Sequence, residues 1–198
     1  ALGVKELQLG RDVLERRIAE ARFPIVSANA CWRAGEPIVD AYTVLAIGDH
    51  RVGVIGLTQP PDVPAEGFDV TDPADALARV LPEVAEVAHT IVLLTSLTRD
   101  EVRVMAKRNQ GLDLVIAGNA WSVPEEAERV AGTGTILVAA DHPAQGHTGR
   151  QIGRLVATLT CDGAITMESW ESVRMSKIIE DDREMARLLD RARIEAPQ

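Results

Sequence analysis

The chain has 198 residues and a formal net charge of −9; it is 46% hydrophobic but only 3% aromatic. That balance fits a soluble globular protein of one domain, or two small ones, with a core of Val, Leu, Ile and Ala. No block of Lys and Arg is long enough to line up phosphates, and no apolar run approaches the roughly 20 residues that span a bilayer, so nucleic acid and membrane insertion are both excluded.

The opening stretch, ALGVKELQLG, has neither an initiator Met nor the basic-then-apolar layout of a signal peptide. A processed product, a subunit or a fragment is the expectation. LGRDVLERRIAEA predicts a helix with Val13, Leu14 and Ile18 on one face. FPIVSANA predicts a short strand from Ile25 to Ala28 that ends at Asn29. AYTVLAIGDHRVGVIGLTQP predicts two strands joined at Gly48-Asp49-His50, a hairpin by its turn residues. After the Pro-rich surface loop TQPPDVPAEGF, Asp72 is placed to cap a helix with Pro73 at its first position. Pro82 predicts a kink or break before that helix ends near Ala88.

HTIVLLTSL predicts an apolar strand, and RDEVRVMAKRNQG an amphipathic helix closed by Gly111 in a left-handed position. GLDLVIAGNAW reads as a buried strand, Leu112 to Ile116, cut off by the turn Gly118-Asn119-Ala120-Trp121. A PEEAERV segment and the strand GTILVAAD follow, then an antiparallel pair turned at Asp162-Gly163. DDREMARLLDRARI predicts a last helix with Met185, Leu188 and Leu189 inward. Strands alternating with helices in the middle, flanked by hairpins, predict an α/β chain with a mixed sheet.

The inventory of chemistry is thin. Neither GxxxxGK[ST] nor GxGxxG occurs, and there is no GxSxG elbow. His50, His89, His142 and His147 form no HxxxH or HExxH pair. Asp141, His142 and His147 share one loop, a metal-ligand set of unspecific spacing. Glu125-Glu126 and Asp181-Asp182 fall at predicted helix starts, where carboxylates favour the helix dipole. Cys31 and Cys161 have no metal-type spacing and read as two independent buried thiols or as one disulfide.

Taken in order, ALGVKELQLGRDVLERR, FPIVSANA, HRVGVIGLTQP, TIVLLTSL, GLDLVIAGNAW and GRQIGRLVATL resemble successive landmarks of the calcineurin-like metallophosphatases, nearest to their 5′-nucleotidase branch. The tail IIEDDREMARLLDRA resembles the helix that leads out of that domain. The resemblance implies mixed β-sheets packed with helices in an α/β/β/α sandwich, incomplete at the N-terminus. The family's Asp-x-His and Gly-Asp motifs would precede residue 1. It divides the chain into a metallophosphatase-like part, residues 1–178, and a C-terminal helix, residues 179–198. It also implies a periplasmic or exported location, and a partner chain or domain covering the missing N-terminal half.

Family chemistry rests on two divalent ions, such as Mn or Zn, about 3.5–4 Å apart. Where the family has Gly-Asn-His-Glu, this chain has Gly3-Val4-Lys5-Glu6. Where it has Ser-His, this chain has Thr95-Ser96, and for Gly-His-Thr-His it has Gly118-Asn119-Ala120-Trp121. Val4 has no lone pair, a Lys5 ammonium repels a cation, Ser96 is a weak neutral ligand and Trp121 can only donate. Val4, Lys5, Ser96, Asn119 and Trp121 are therefore degenerate positions, and neither a catalytic residue nor a cofactor is expected. Val4 and Trp121 are expected to fill the vacated site. The first expectation is a non-catalytic structural or binding module within a larger assembly. The second is a metal-dependent phosphoesterase using Asp141, His142, His147, Glu6 or Asn119, with ligands from a missing N-terminal half or partner. The third is a half-domain completed by another chain.

Overall fold

The centre of the chain is a set of strands apolar on both faces, a pattern that needs a covering layer on each side. The computed structural model describes residues 1–63, 66–118, 127–139, 151–160, 163–176 and 179–195. Its first elements are α1 (Val4–Leu7), α2 (Arg11–Glu20), β1 (Ala30–Trp32), β2 (Tyr42–Ile47), β3 (His50–Leu57), β4 (Phe68–Val70) and α3 (Pro73–Val87). There follow β5 (Thr90–Thr95), α4 (Arg99–Arg108), β6 (Leu114–Ala117), β7 (Glu128–Arg129), β8 (Ile136–Ala139), β9 (Gln151–Leu159), β10 (Ile165–Arg174) and α5 (Arg183–Glu195).

A six-stranded sheet runs in the order β2-β3-β5-β6-β8-β7. Its middle strands β3, β5, β6 and β8 are parallel, and the edge strands β2 and β7 are antiparallel. Residues in β3 alternate between two cores, as period-2 geometry requires. Ile55 and Leu57 join Leu77, Val80 and Val84 of α3 and Val102 and Met105 of α4 on one face. Val52 and Val54 join Val92, Leu114, Ile136 and Val138 on the other, beneath Leu155, Leu159, Met167 and Trp170 of the β9–β10 hairpin. The layers are therefore helix, mixed sheet and second sheet, in keeping with a metallophosphatase-type α/β/β/α order. A smaller core of Leu2, Leu7, Leu14, Ala30, Trp32 and Phe68 holds α1 and α2 to the β1–β4 ribbon.

The hairpin at Gly48-Asp49 forms as predicted. Gly48 has φ +60° while Asp49 does not have positive φ, the arrangement of a type II′ turn. Asp72 caps α3 through bonds from Ala74 N–H and Asp75 N–H at 2.8 and 3.0 Å. Gly111 has φ +102° after α4, and Asp182 accepts from Met185 N–H at 2.8 Å at the start of α5.

Four expectations need correction. Ile25–Ala28 is not a strand: only Val26 makes an isolated bridge, to Asp40. Its backbone groups are shared among three segments, with Leu2 N–H to Val26 O, Ser27 N–H to Asp40 O and Ala28 N–H to Gly56 O, so no ladder builds. The chain nonetheless lies so close to β3 that a Cβ at Gly56 would run into the Val26 carbonyl. Pro82 does not break α3. It and Ala78, whose carbonyl loses its partner, both face solvent, where water replaces the bond. Val13 is exposed, leaving Leu14 and Ile18 as the inner stripe of α2. Met185, Leu188 and Leu189 are about half exposed rather than inward (53%, 50% and 51%), and none of the three cores includes a residue of α5. Their helical spacing is real; what fails is the supply of a surface to receive them.

Cys31 is a free, half-buried thiol donating to Asp69 O at 3.6 Å rather than a fully buried one. Cys161, Asp162 and Glu125-Glu126 lie outside the described residues.

Arg99 and Arg103 of α4 both bind Glu128 of β7, at 2.5 and 2.8 Å. Hydrogen bonding from Arg103, joined by Arg99, lowers the Glu128 carboxyl from 4.5 to about 2. A depressed carboxylate stabilises the fold fully above its unfolded value, and that stability drains away as pH falls from about 4.5 to about 2. Glu128→Gln is expected to cost about 2 kcal/mol at neutral pH, by denaturant unfolding, because two half-buried guanidinium groups lose their counter-charge. The same variant should lose stability less steeply than wild type over that acid interval.

Candidate functional site

Parallel strands end together, so β3, β5 and β6 bring the residues that follow them, Thr58, Ser96 and Gly118, to one edge of the sheet. Loops at such an edge carry function while the sheet holds them still. Two of them are cross-linked by backbone: Gly118 N–H donates to Thr95 O at 2.7 Å. Gln59 N–H donates to Ser96 Oγ at 3.1 Å, which joins the ends of β3 and β5.

The segment carrying Val4 and Lys5 is drawn to the same edge by Thr58. Thr58 Oγ1 donates to Leu2 O at 2.7 Å, and Leu2 N–H donates to Val26 O at 3.0 Å. A hydroxyl has one proton to give, so Thr58 Oγ1 must accept from Ser27 Oγ, 2.7 Å away. Asn29 completes the bracket. Its Nδ2 donates to Thr58 O and Thr71 O at 2.9 and 3.0 Å, and its Oδ1 accepts from Thr58 N–H at 2.8 Å. Ser27, Asn29 and Thr58 are all buried, and each finds partners, as buried polar groups must. None of the three was marked as a site residue from sequence. The available signal was a polar run, Ser27-Ala28-Asn29, inside an otherwise apolar stretch.

Of the positions that the sequence comparison of motifs singled out, those within the described residues have distinct settings. Val4 is half-buried and packs on the small core of Leu2, Leu7 and Trp32. Lys5 is exposed and, among the described residues, forms no ion pair. Ser96 is half-buried, and its oxygen is engaged by Gln59. Asn119 and Trp121 lie outside the described residues, as do Asp141, His142 and His147. The donor chemistry at positions 4, 5 and 96 does not fit a two-metal centre: an alkyl group, an ammonium and a hydroxyl already accepting a hydrogen bond. Among the described residues no group of three or more His, Cys, Asp or Glu could hold a metal ion.

The fold also pairs two histidines that sequence spacing kept apart. His50 and His89 lie at the opposite edge of the sheet with ring centroids 4.9 Å apart. Thr90 Oγ1 gives its proton to Gly163 O at 2.6 Å, so the 2.8 Å contact from His50 Nε2 must be a donation to Thr90. This relay fastens the β9–β10 turn to the main sheet, where Gly163 sits against the His89 backbone with φ +93°. His89 Nδ1 accepts from Arg51 N–H at 3.1 Å, which requires that nitrogen to be unprotonated. Desolvation, then Arg51, then His50 lower the His89 pKa. Elsewhere, an open groove of about 410 Å³ runs between the start of α3 and α4 over Leu97, Val104 and Met105, behind the helices.

Asn29→Ala should cost about 3 kcal/mol in unfolding free energy, since two carbonyls and one N–H lose their partners in a dry site. Nitrogen NMR of the histidines should find His50 protonated at Nε2 and His89 bare at Nδ1 in neutral solution. His89 should take up its proton below its ordinary value of 6.5, so its contribution to stability is present above that value and fades as pH falls.

No family model matches the chain. Human 5′-nucleotidase is 28% identical over 160 residues, 71% of this chain and 27% of that protein. The solved structure of a 5′-nucleotidase precursor from Thermus thermophilus is 25% identical and superposes with a TM-score of 0.80 over 98% of this chain and 42% of its own. The sulfate thiohydrolase SoxB of Thermus thermophilus, 22% identical, superposes with a TM-score of 0.78 over 94% of this chain and 34% of its own. The calcineurin-like phosphoesterase YfkN of Bacillus subtilis gives 0.67 at 21% identity, over 96% of this chain and 67% of its own. The chain thus spans well under half the length of the 5′-nucleotidases it matches. In fold and in sequence the chain is thus similar to 5′-nucleotidases and calcineurin-like phosphoesterases.

Proposed function

We propose that this chain is a non-catalytic metallophosphatase-like module that serves a structural or binding role within a larger assembly. One observation carries the reading. The ends of β3 and β5 and the segment of Val4 and Lys5 are tightly bonded at one sheet edge, and by the resemblance drawn from the sequence Val4 and Ser96 fall where the family has metal ligands and Lys5 where it has its catalytic imidazole. A two-metal phosphoesterase needs each of those places filled by a lone-pair donor. Here one is an alkyl group that packs on a neighbouring core and another is an exposed cation with no ion pair among the described residues. Residues 1–178 would be the module and 179–198 a helix leading away from it. The partner would be another chain or domain, and the half-exposed apolar side of α5 is a surface for it to cover.

Elemental mass spectrometry tests the reading, on protein purified with Mn²⁺ and Zn²⁺ and then desalted. Near-zero stoichiometry is expected, together with no turnover of a nucleoside monophosphate at any metal concentration. One or two tightly held ions per chain with phosphate release would overturn it. The loop from Asp141 to His147 would then be the place to mutate, and a partner supplying further ligands the thing to seek.

A further inference from the structure

Among the described residues, the edges of β7 and of the β9–β10 ribbon are protected in ways that the edge of β2 is not. Edge strands invite pairing with another chain, and proteins usually blunt them with charge, brevity or cover. β7 is two residues long and charged, and its Glu128 is held by two arginines. The β9–β10 ribbon carries Arg154 on one strand and Glu168, Glu171 and Arg174 on the other. β2 has none of these defences. From Ala41 to Gly48 the sequence AYTVLAIG contains no charge and no proline, and Leu45 and Ile47 are 43% and 57% exposed.

The register shows which backbone groups are free. In a two-residue hairpin the pair flanking the turn, Ile47 and His50, exchanges both hydrogen bonds, and bonded pairs then recur every second residue. Thr43, Leu45 and Ile47 therefore point their N–H and C=O groups toward β3. Gly56 N–H to Ala41 O has the same parity, and Asp40 O accepts from Ser27 N–H on the outer side. Tyr42, Val44 and Ala46 present their backbone groups outward, and among the described residues nothing pairs with them.

We propose that this edge pairs with the same edge of a second copy of the chain, joining two six-stranded sheets into one. The free groups are self-complementary about Val44: an antiparallel two-fold sets Val44 opposite Val44 and Tyr42 opposite Ala46. Three such pairs give about six N–H···O bonds. Leu45, on the same face as Val52, then meets Thr43 of the other copy, and Ile47 meets Ala41, closing apolar surface with no charge between the strands. Asp40, already bonded by Ser27, lies beyond the paired stretch, which ends at Ala41 and Ile47. The contact is only about 20 Å long, small beside a stable dimer interface, so micromolar association is expected. The inference is independent of whether the domain is catalytic.

Sedimentation velocity of the 198-residue chain from micromolar to submillimolar concentration is the test. Wild type should move from monomer to dimer across that range. Val44→Pro removes an N–H that β3 does not use, so it should keep the wild-type circular dichroism while weakening association by more than about tenfold. Leu45→Lys with Ile47→Lys leaves the backbone intact and should weaken it comparably, which guards against a proline variant that misfolds. A monomer at every concentration overturns the proposal. So does a dimer indifferent to both variants, or a monomer that instead binds an unrelated extended peptide at β2.

Discussion

Asn29 is the side chain on which the rest of the architecture leans. Through one amide it holds both backbone groups of Thr58 at the end of β3 and the carbonyl of Thr71 just before α3. Thr58 passes the constraint on to Leu2, and so to the short helix that carries Val4 and Lys5. Buried and away from water, these bonds are short of alternatives, and any slip leaves several polar groups unpaired at once. The bracket therefore sets the register between the main sheet and the small N-terminal core. It also explains why a segment without regular secondary structure can sit at the heart of the molecule.

The site edge and the covering hairpin are held by separate devices on opposite ends of the sheet. At one end Ser96 and Gly118 are stitched by Gln59 and Thr95. At the other, His50 and Thr90 fasten the turn at Gly163. The backbone at the site edge is thus firmly held, while the side chains near it at positions 4, 5 and 96 are an alkyl group, an ammonium and an engaged hydroxyl. Alkyl, ammonium and engaged hydroxyl groups do not assemble a divalent-ion centre, but they leave α1 and the end of β5 undisturbed. The bracket is independent of those three side chains because it uses Ser27, Asn29 and Thr58.

Much of the fold was legible because local signals and the final packing agree. Asp72-Pro73 starts a helix by capping geometry, Gly48-Asp49 makes a tight turn, and the apolar runs at 90–95 and 114–117 need burial on both faces. The failures share one cause. Whether Ile25–Ala28 joins a ladder, whether Val13 is inside, and whether Met185, Leu188 and Leu189 find cover all depend on partners remote in sequence. Pro82 survives within α3 for a related reason, its orphaned carbonyl facing water.

The sequence by itself determined the α/β alternation, most caps and turns, and the chemical identity of the side chains at positions 4, 5 and 96. Those are properties of single residues and of short periodic windows. Only the tertiary structure decided that Asn29 and Thr58 form the central bracket, that His50 and His89 meet across 39 positions of chain, and that Tyr42, Val44 and Ala46 of β2 turn outward backbone groups that pair with nothing among the described residues. Each of these depends on strand order and register, which arise when distant segments compete for the same hydrogen bonds and the same apolar cover.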